Sequence, residues 1–195
     1  MNDVVYCYPE SDVLRNKLNI QDSETLFRAE KQLTMLRLLE LQNQPLKGKF
    51  DLAHLCAIHG YIFQDLYHWA GKLRTVDIAK GNMFCKFEFI QSSSDKLFAR
   101  LEKDFTENMT DRQQMVKKLA YHFSEINALH PFREGNGRAQ REFIRILALD
   151  HGYEIDFSHI TTAEMIDASK SSFLCDYIPM ERLFDRAVKN CPESR

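Results

Sequence analysis

The chain is short of the residues that interrupt regular structure, with seven glycines and five prolines among 195 residues, about half the usual share. So few breakers exclude a many-stranded sandwich or barrel, which needs a turn roughly every ten residues. There is no CxxC pair. The five cysteines (Cys7, Cys56, Cys85, Cys175 and Cys191) are odd in number and scattered, which argues against a disulfide frame or a zinc site and reads as reduced thiols of a cytoplasmic protein. No apolar run approaches membrane-spanning length, and Met1-Asn2-Asp3 lacks the basic-then-apolar opening of a signal peptide. Charge of one sign is missing too. Lys+Arg 26 against Asp+Glu 28 leaves a net charge of −2, no footprint for nucleic acid or an anionic membrane, so neither is an expected partner. What is present is ordinary globular material, 44% hydrophobic and 28% charged with 14 Phe. One domain over residues 1–195, with a core built around phenylalanine, is the expectation.

Periodicity then places the elements. After an irregular lead-in containing Pro9, a short helix is expected through Leu14, Leu18 and Ile20. Asp22 or Ser23 caps a long amphipathic helix with Leu26, Ala29, Leu33 and Leu36 on one face, stopping before Pro45. Asp51 opens another, with Leu52, Leu55, Cys56 and Ile62 inward. From Leu73 to Ile90 the helical period is lost. Val76 and Ile78, and Phe87 and Phe89, alternate with polar residues around an Ala79-Lys80-Gly81-Asn82 turn, which predicts a β-hairpin. Helices resume at Ser92, which has Asp95 three residues on. A further helix starts at Asp111 and carries Met115, Leu119, Phe123 and Ile126 to about Leu129. Another runs from about Gly137 to Asp150 and closes at Gly152. Thr161 with Glu164 is a capping box, and Pro179 suits the first turn of a last helix, Met180 to Lys189.

Chemistry concentrates between two of these helices, in His130-Pro-Phe-Arg-Glu-Gly-Asn-Gly-Arg-Ala-Gln-Arg141. Gly135-Asn136-Gly137 permits positive φ, so that successive N–H groups can converge on one point at the positive end of the following helix. That combination binds anions, phosphate above all. Arg138 and Arg141 share a helical face and fork around phosphate oxygens. Between His130 and Arg145, four arginines oppose Glu134 and Glu142, a local excess of positive charge that suggests several phosphates. Glu134 fits a divalent ion bridged to a polyphosphate, and His130 can take a proton from an attacking hydroxyl. A plain helix–loop–helix joint would need the turn residues but not the histidine, glutamate and paired arginines.

The segment resembles the Fic family signature H-P-F-x-[DE]-G-N-G-R-x-x-R at every fixed position. Ile58 to Asn82 is similar to that family's helix and entry into its flap, and Ala168-Ser169 with Asp176 to Phe184 resembles its closing helices. The resemblance implies an all-α, Fic-type helical bundle with one β-hairpin flap, its core at about 50–190 and residues 1–50 an N-terminal helical extension. It implies a protein adenylyltransferase. His130 would deprotonate a Tyr, Thr or Ser hydroxyl of a target protein, which attacks the α-phosphate of ATP. Glu134 would ligate Mg²⁺, Gly135, Asn136 and Gly137 would hold the α- and β-phosphates, and Arg138 and Arg141 would neutralise the β- and γ-phosphates. Lys80 and Gly81 would lie over the nucleotide, and the flap edge Ile78, Asn82, Phe84 and Lys86 would dock the target by strand pairing.

No glutamate has Ser or Thr four residues before it, so the inhibitory pattern [ST]-x-x-x-E-[GN] of many Fic proteins is missing. The lead-in resembles Fic toxins restrained by a separate small antitoxin, which implies such a partner and, for that class, a type II topoisomerase ATPase subunit as target. The implied location is the cytoplasm, or another cell if the chain is part of a delivered effector. Two competing readings are a Fic-type transferase using UTP, GTP or a CDP-linked alcohol, and a non-catalytic helical module that binds nucleotide or a partner helix. The second needs no base, so the pairing of His130 with Glu134 argues against it. His54, His59, His68, His122, His151 and His159 form no ligand pattern and read as core or surface residues. Tyr67 and Trp69 read as core aromatics supporting the flap.

Overall fold

A computed structural model describes residues 3–106 and 111–191. Seven α-helices carry the fold: α1 (Ser23–Asn43), α2 (Leu52–Phe63), α3 (Ile90–Asp104), α4 (Arg112–Leu129), α5 (Asn136–Asp150), α6 (Thr162–Ser172) and α7 (Ile178–Ala187). Helix α5 is buried between α2 and α4; α1 lies on α2, and α6 and α7 close over α4. Phe63, Phe123, Phe132, Phe143 and Phe184 are all buried in the core, as the abundance of phenylalanine predicts. The caps also follow from the residues. Asp22, Asp51 and Asp111 each accept a first-turn N–H, and Thr161 with Glu164 forms a reciprocal capping box.

Several expectations give way. Residues 14–20 form no helix, because the Asn16 side chain takes the backbone groups a helix would use. Its Nδ2 donates to the Leu14 and Ile20 carbonyls, and its Oδ1 accepts the Leu18 and Ile20 N–H groups. Helix α3 starts at Ile90, before Ser92, after a single 3₁₀ turn Phe87–Phe89. That turn also consumes the expected outer hairpin. Only β1 (Ala79–Lys80) and β2 (Asn82–Met83) pair, antiparallel around Gly81. The last helix stops at Ala187, and Val188 turns into β4 (Val188–Asn190), which pairs with β3 (Tyr153–Ile155). Three residues are too few to show a period in the sequence.

The inward face of α1 is the predicted one at Leu26, Ala29 and Leu33, but not at Leu36. Leu26, Thr34 and Leu41 are buried while Leu36 is 55% exposed, alongside Phe27, Met35 and Leu39. A polar stripe packs as well: Arg37 pairs with Asp65 at the end of α2 (2.7 Å), and Glu30 and Thr34 reach Arg138 on α5. This helix is turned toward partners for its charges.

Candidate active site

Helix α4 ends at His130, whose φ of 45° reverses the chain, and α5 begins at Gly135, with φ of 82°. A Cβ on Gly135 would meet the Phe63 ring at 2.1 Å, so both backbone conformation and space require glycine there. The loop between is locked from inside. The Asn136 side chain accepts the Phe132 N–H (2.8 Å) and donates back to the Phe132 carbonyl (2.6 Å). It is therefore structural, and only the Asn136 backbone N–H is left for a ligand. His59, fully buried, is stacked on Phe132 at 3.8 Å and on Phe63 at 4.6 Å. Its Nδ1 accepts the Gly71 N–H (2.8 Å), so its Nε2 must donate to the Glu134 carbonyl (2.9 Å). Burial pushes its pKa down to about 4, which keeps the ring neutral and this tautomer in place.

A cavity of about 420 Å³ opens beside the loop. Lys80, Asn82 and Phe84 line it from the flap, and His130, Gly137 and Arg141 from the motif. Phe157, Ile160, Met165, Ile166 and Phe173, on and around α6, form an apolar wall. The structure thus brings together six of the residues singled out from the sequence. Ile78, Gly81, Lys86, Glu134, Gly135, Asn136 and Arg138 do not line this cavity. The apolar wall was not foreseen, because it comes from short segments of different elements that share no periodic signal. Tyr67 and Trp69 stack on one another (4.3 Å) and pack toward Tyr6 and His59, so they support the lead-in and the back of the motif loop rather than the flap.

His130 is buried and covered by the Phe84 ring, whose centroid lies 3.7 Å away at 10°. Its Nδ1 lies 3.3 Å from the Asn127 carbonyl, a contact that places the ring proton on Nδ1 and leaves a lone pair on Nε2. Burial first, and then the charge of Lys80, push its pKa down to about 4. At neutral pH the group is therefore an unprotonated base. Arg141 is its charged counterpart. Among the described residues no carboxylate lies within ion-pair distance of it, and burial together with the neighbouring Arg138 disfavours its charge. An unpaired, desolvated guanidinium beside the first N–H groups of a helix is a strong anion site.

The other motif-region arginines are spoken for, so the positive excess read along the chain does not persist in space. Arg133 pairs with Asp3 in the lead-in, Arg145 with Glu142 (2.7 Å), and Arg138 with Glu30 and Thr34 while lying 4.7 Å over the Phe63 ring. Glu134 accepts the Gly135 N–H (2.8 Å) and stands 3.7 Å from Arg138. The described residues contain no cluster of three or more metal-ligating side chains. This single half-exposed carboxylate fits Mg²⁺ only as a shared ion whose other ligands are substrate oxygens and water, which is how Mg²⁺ is commonly held.

One residue that composition and spacing could not reveal is Arg74, 2% exposed. Its guanidinium donates to the carbonyls of His130 (2.8 Å), Val76 (2.7 Å) and Cys85. Nothing in a stretch reading Leu73-Arg74-Thr75 marks an arginine as buried.

The comparisons with known proteins agree with this geometry. The Fic/DOC family matches residues 49–148. A Salmonella typhimurium protein named "Probable protein adenylyltransferase Fic" is 37% identical over 190 residues, covering 97% of this chain and 94% of that one. Protein adenylyltransferase VbhT of Bartonella schoenbuchensis is 41% identical over 169 residues, covering 86% of this chain and 35% of that longer protein. The N-terminal Fic domain of a VirB-translocated Bep effector from Bartonella quintana, solved with bound ADP, superposes with a TM-score of 0.90 at 30% identity and covers 95% of each chain. With the signature loop intact, the flap above it and the matching helical frame around it, this chain belongs to the Fic/DOC family.

Proposed function

We propose that the chain is a protein adenylyltransferase that moves AMP from ATP to a Tyr, Thr or Ser hydroxyl of a target protein. The observation that carries this reading is the convergence on one cavity of a neutral histidine with a free Nε2, a half-buried arginine without an ion-pair partner and the open first turn of α5. The apolar wall around α6 takes the adenosine. The Asn136 and Gly137 N–H groups receive the α- and β-phosphates, and Arg141 receives the γ-phosphate. Arg138, held by Glu30 and Thr34, adds its charge to the same end of the helix and reaches the β-phosphate only by leaving Glu30. Glu134 would hold Mg²⁺ together with phosphate oxygens; when bound, the ion neutralises charge on the polyphosphate. His130 Nε2 takes the proton of the target hydroxyl. The oxygen then bonds to the α-phosphorus, the bond to the bridging oxygen breaks, and pyrophosphate leaves. Positioning and charge neutralisation are most of what such a transfer asks of a protein.

The flap supplies the acceptor side. Lys80, and Gly81 at the hairpin tip, would lie over the nucleotide, and Ile78, Asn82, Phe84 and Lys86 would set the edge along which a target segment pairs as an added strand. Because α1 braces Arg138, residues 1–50 act as an extension of the core at about 50–190 in one domain. We further infer a separate antitoxin as the brake, since the chain has no inhibitory motif of its own, and a type II topoisomerase ATPase subunit as target. Among the described residues no helix is long and apolar enough to cross a membrane, in keeping with a cytoplasmic site of action.

The test uses α-labelled and γ-labelled ATP with Mg²⁺ and a bacterial lysate. Label from the α-position should appear on protein and vanish in His130→Ala. Label from the γ-position alone would make the chain a kinase, and tight ATP binding without any transfer would make it a binding module.

A further inference from the structure

Arg74 is the most deeply buried charge of the described chain, with its side chain wholly inaccessible. Its one carboxylate neighbour among the described residues is Asp77, a long ion pair at 3.9 Å whose acid is partly exposed at the surface. A buried cation is costly unless it is well satisfied. The hydrogen bonds of the Arg74 guanidinium all go to backbone carbonyls, and which carbonyls they are gives its role. Val76 lies on the chain entering the flap, Cys85 on the chain leaving it, and His130 is the candidate base at the end of α4. The Arg74 N–H also donates to the Pro131 carbonyl (2.9 Å). The cation sits at the C-terminal end of α4, where exposed carbonyls favour positive charge. The flap has little else to hold it: β1 and β2 are two residues each and all four are exposed. Its other anchors are the Phe87 N–H to the Asp77 carboxylate (2.9 Å), the Phe84 N–H to the Ile78 carbonyl (3.2 Å), the Cys85 N–H to the Ala128 carbonyl (3.0 Å) and the Phe84 ring on His130.

We propose that Arg74 is a positioning residue for the acceptor, its planar fork clipping both stems of the flap to the loop that carries His130. The flap edge and the base then keep one fixed spacing, and a hydroxyl presented along that edge meets Nε2. A lysine would keep the charge but cannot reach three carbonyls in three directions. Arg74 does not line the cavity shared by His130, Gly137 and Arg141, so it does not hold the nucleotide. This inference rests on the AMP-transfer reading for its purpose, but not for its structure.

The experiment compares full-length wild type with Arg74→Lys and Arg74→Gln in three measurements. For hydrogen exchange, the Phe84 and Cys85 amides should exchange at least tenfold faster in both variants, while the amides of α4 and α5 interiors are unchanged. Affinity for a non-hydrolysable ATP analogue should stay within about twofold. Transfer of α-label to the lysate proteins that the wild type labels should fall more than tenfold, with Arg74→Lys restoring only a small part. Unchanged flap exchange would overturn the proposal, and so would a loss of nucleotide affinity as large as the loss of transfer. Failure of both variants to fold would make Arg74 a general folding residue and overturn it equally. If the wild type itself transfers no label, the AMP-transfer reading fails, and exchange and affinity still judge the clip.

Discussion

The motif loop and the flap face each other across one cavity and are built in opposite ways. The loop is held on every side: Asn136 bonds both backbone groups of Phe132, His59 pins the Glu134 carbonyl, and Phe63 fills the space beside Gly135. The flap is two exposed residue pairs around Gly81, where a Cβ would meet nothing within 4 Å. Phosphates are the same in every turnover, so their site gains from being rigid before the ligand arrives. A target protein brings its own backbone, and a short unpaired edge leaves hydrogen-bonding groups for it to complete.

The sharpest way to break this contrast is at the base, which belongs to the rigid side. His130→Ala should lower AMP transfer by about 10²–10⁴-fold while leaving nucleotide affinity within a few-fold; α-label incorporation and calorimetric ATP binding measure the two, and transfer at the wild-type rate would remove His130 from the chemistry. Gly135→Ala should come next. The left-handed φ and the clash with Phe63 together cost roughly 2–5 kcal/mol, so thermal unfolding should drop by several degrees and nucleotide binding should be lost. An unchanged melting temperature would show that the loop is looser than its contacts say.

Arg141→Ala should weaken ATP binding by roughly ten- to a hundredfold, the worth of about 1.5–3 kcal/mol for a charged hydrogen bond, with much less effect on AMP. Equal losses for ATP and AMP would count against contact with the γ-phosphate. Acid should act on the locked side as well. His59 and His130 are held down to about 4, and His122, whose burial outweighs its Asp104 partner, is also lowered. Their folded-state values lie below the unfolded value of about 6.5, so the unfolded chain takes up protons first. For His59 and His130 the stability is complete above that pH and is lost as pH falls toward 4, at about 1.4 kcal/mol per pH unit each, and His122 contributes with the same sign. Denaturant melts between pH 7 and 4 should show this slope, and His59→Phe should flatten it by one histidine's share. Gly81→Ala should have the smallest effect, a change of a degree or two in melting temperature and a few-fold loss of transfer to protein, with ATP affinity intact. A large global destabilisation there would contradict the flap's independence.

Much of this was legible in advance, and the exceptions share a cause. The caps at Asp22, Asp51, Asp111 and Thr161 are local chemistry, readable from a few neighbouring residues. So is the loop from His130 to Arg141. The α1 face departs from expectation at Leu36, because the rule that apolar residues point inward assumes an apolar neighbour, and α1 also meets the charges of Arg138 and Asp65. The hairpin was overextended because alternation in Phe87 and Phe89 suits a strand and a 3₁₀ turn alike over so short a span. His59 and Arg74 carried no signal, since neither spacing nor composition marks a side chain that will bond backbone carbonyls far away in the chain.

By itself the sequence determined the helical class, the place of the turn and the family signature in the His130–Arg141 loop, because these depend on backbone preference and side-chain type within a dozen residues. Only the tertiary structure decided which of the arginines is available. Arg145 has a local partner in Glu142, three residues before it on α5, but the partners of Arg133 and Arg138 are nowhere near them in the chain. In the fold, Asp3 comes close enough to claim Arg133 and Glu30 to claim Arg138, which leaves Arg141 without an ion-pair partner among the described residues. Ion pairing is set by distance in space, and residues more than a hundred positions apart have none until the chain has packed.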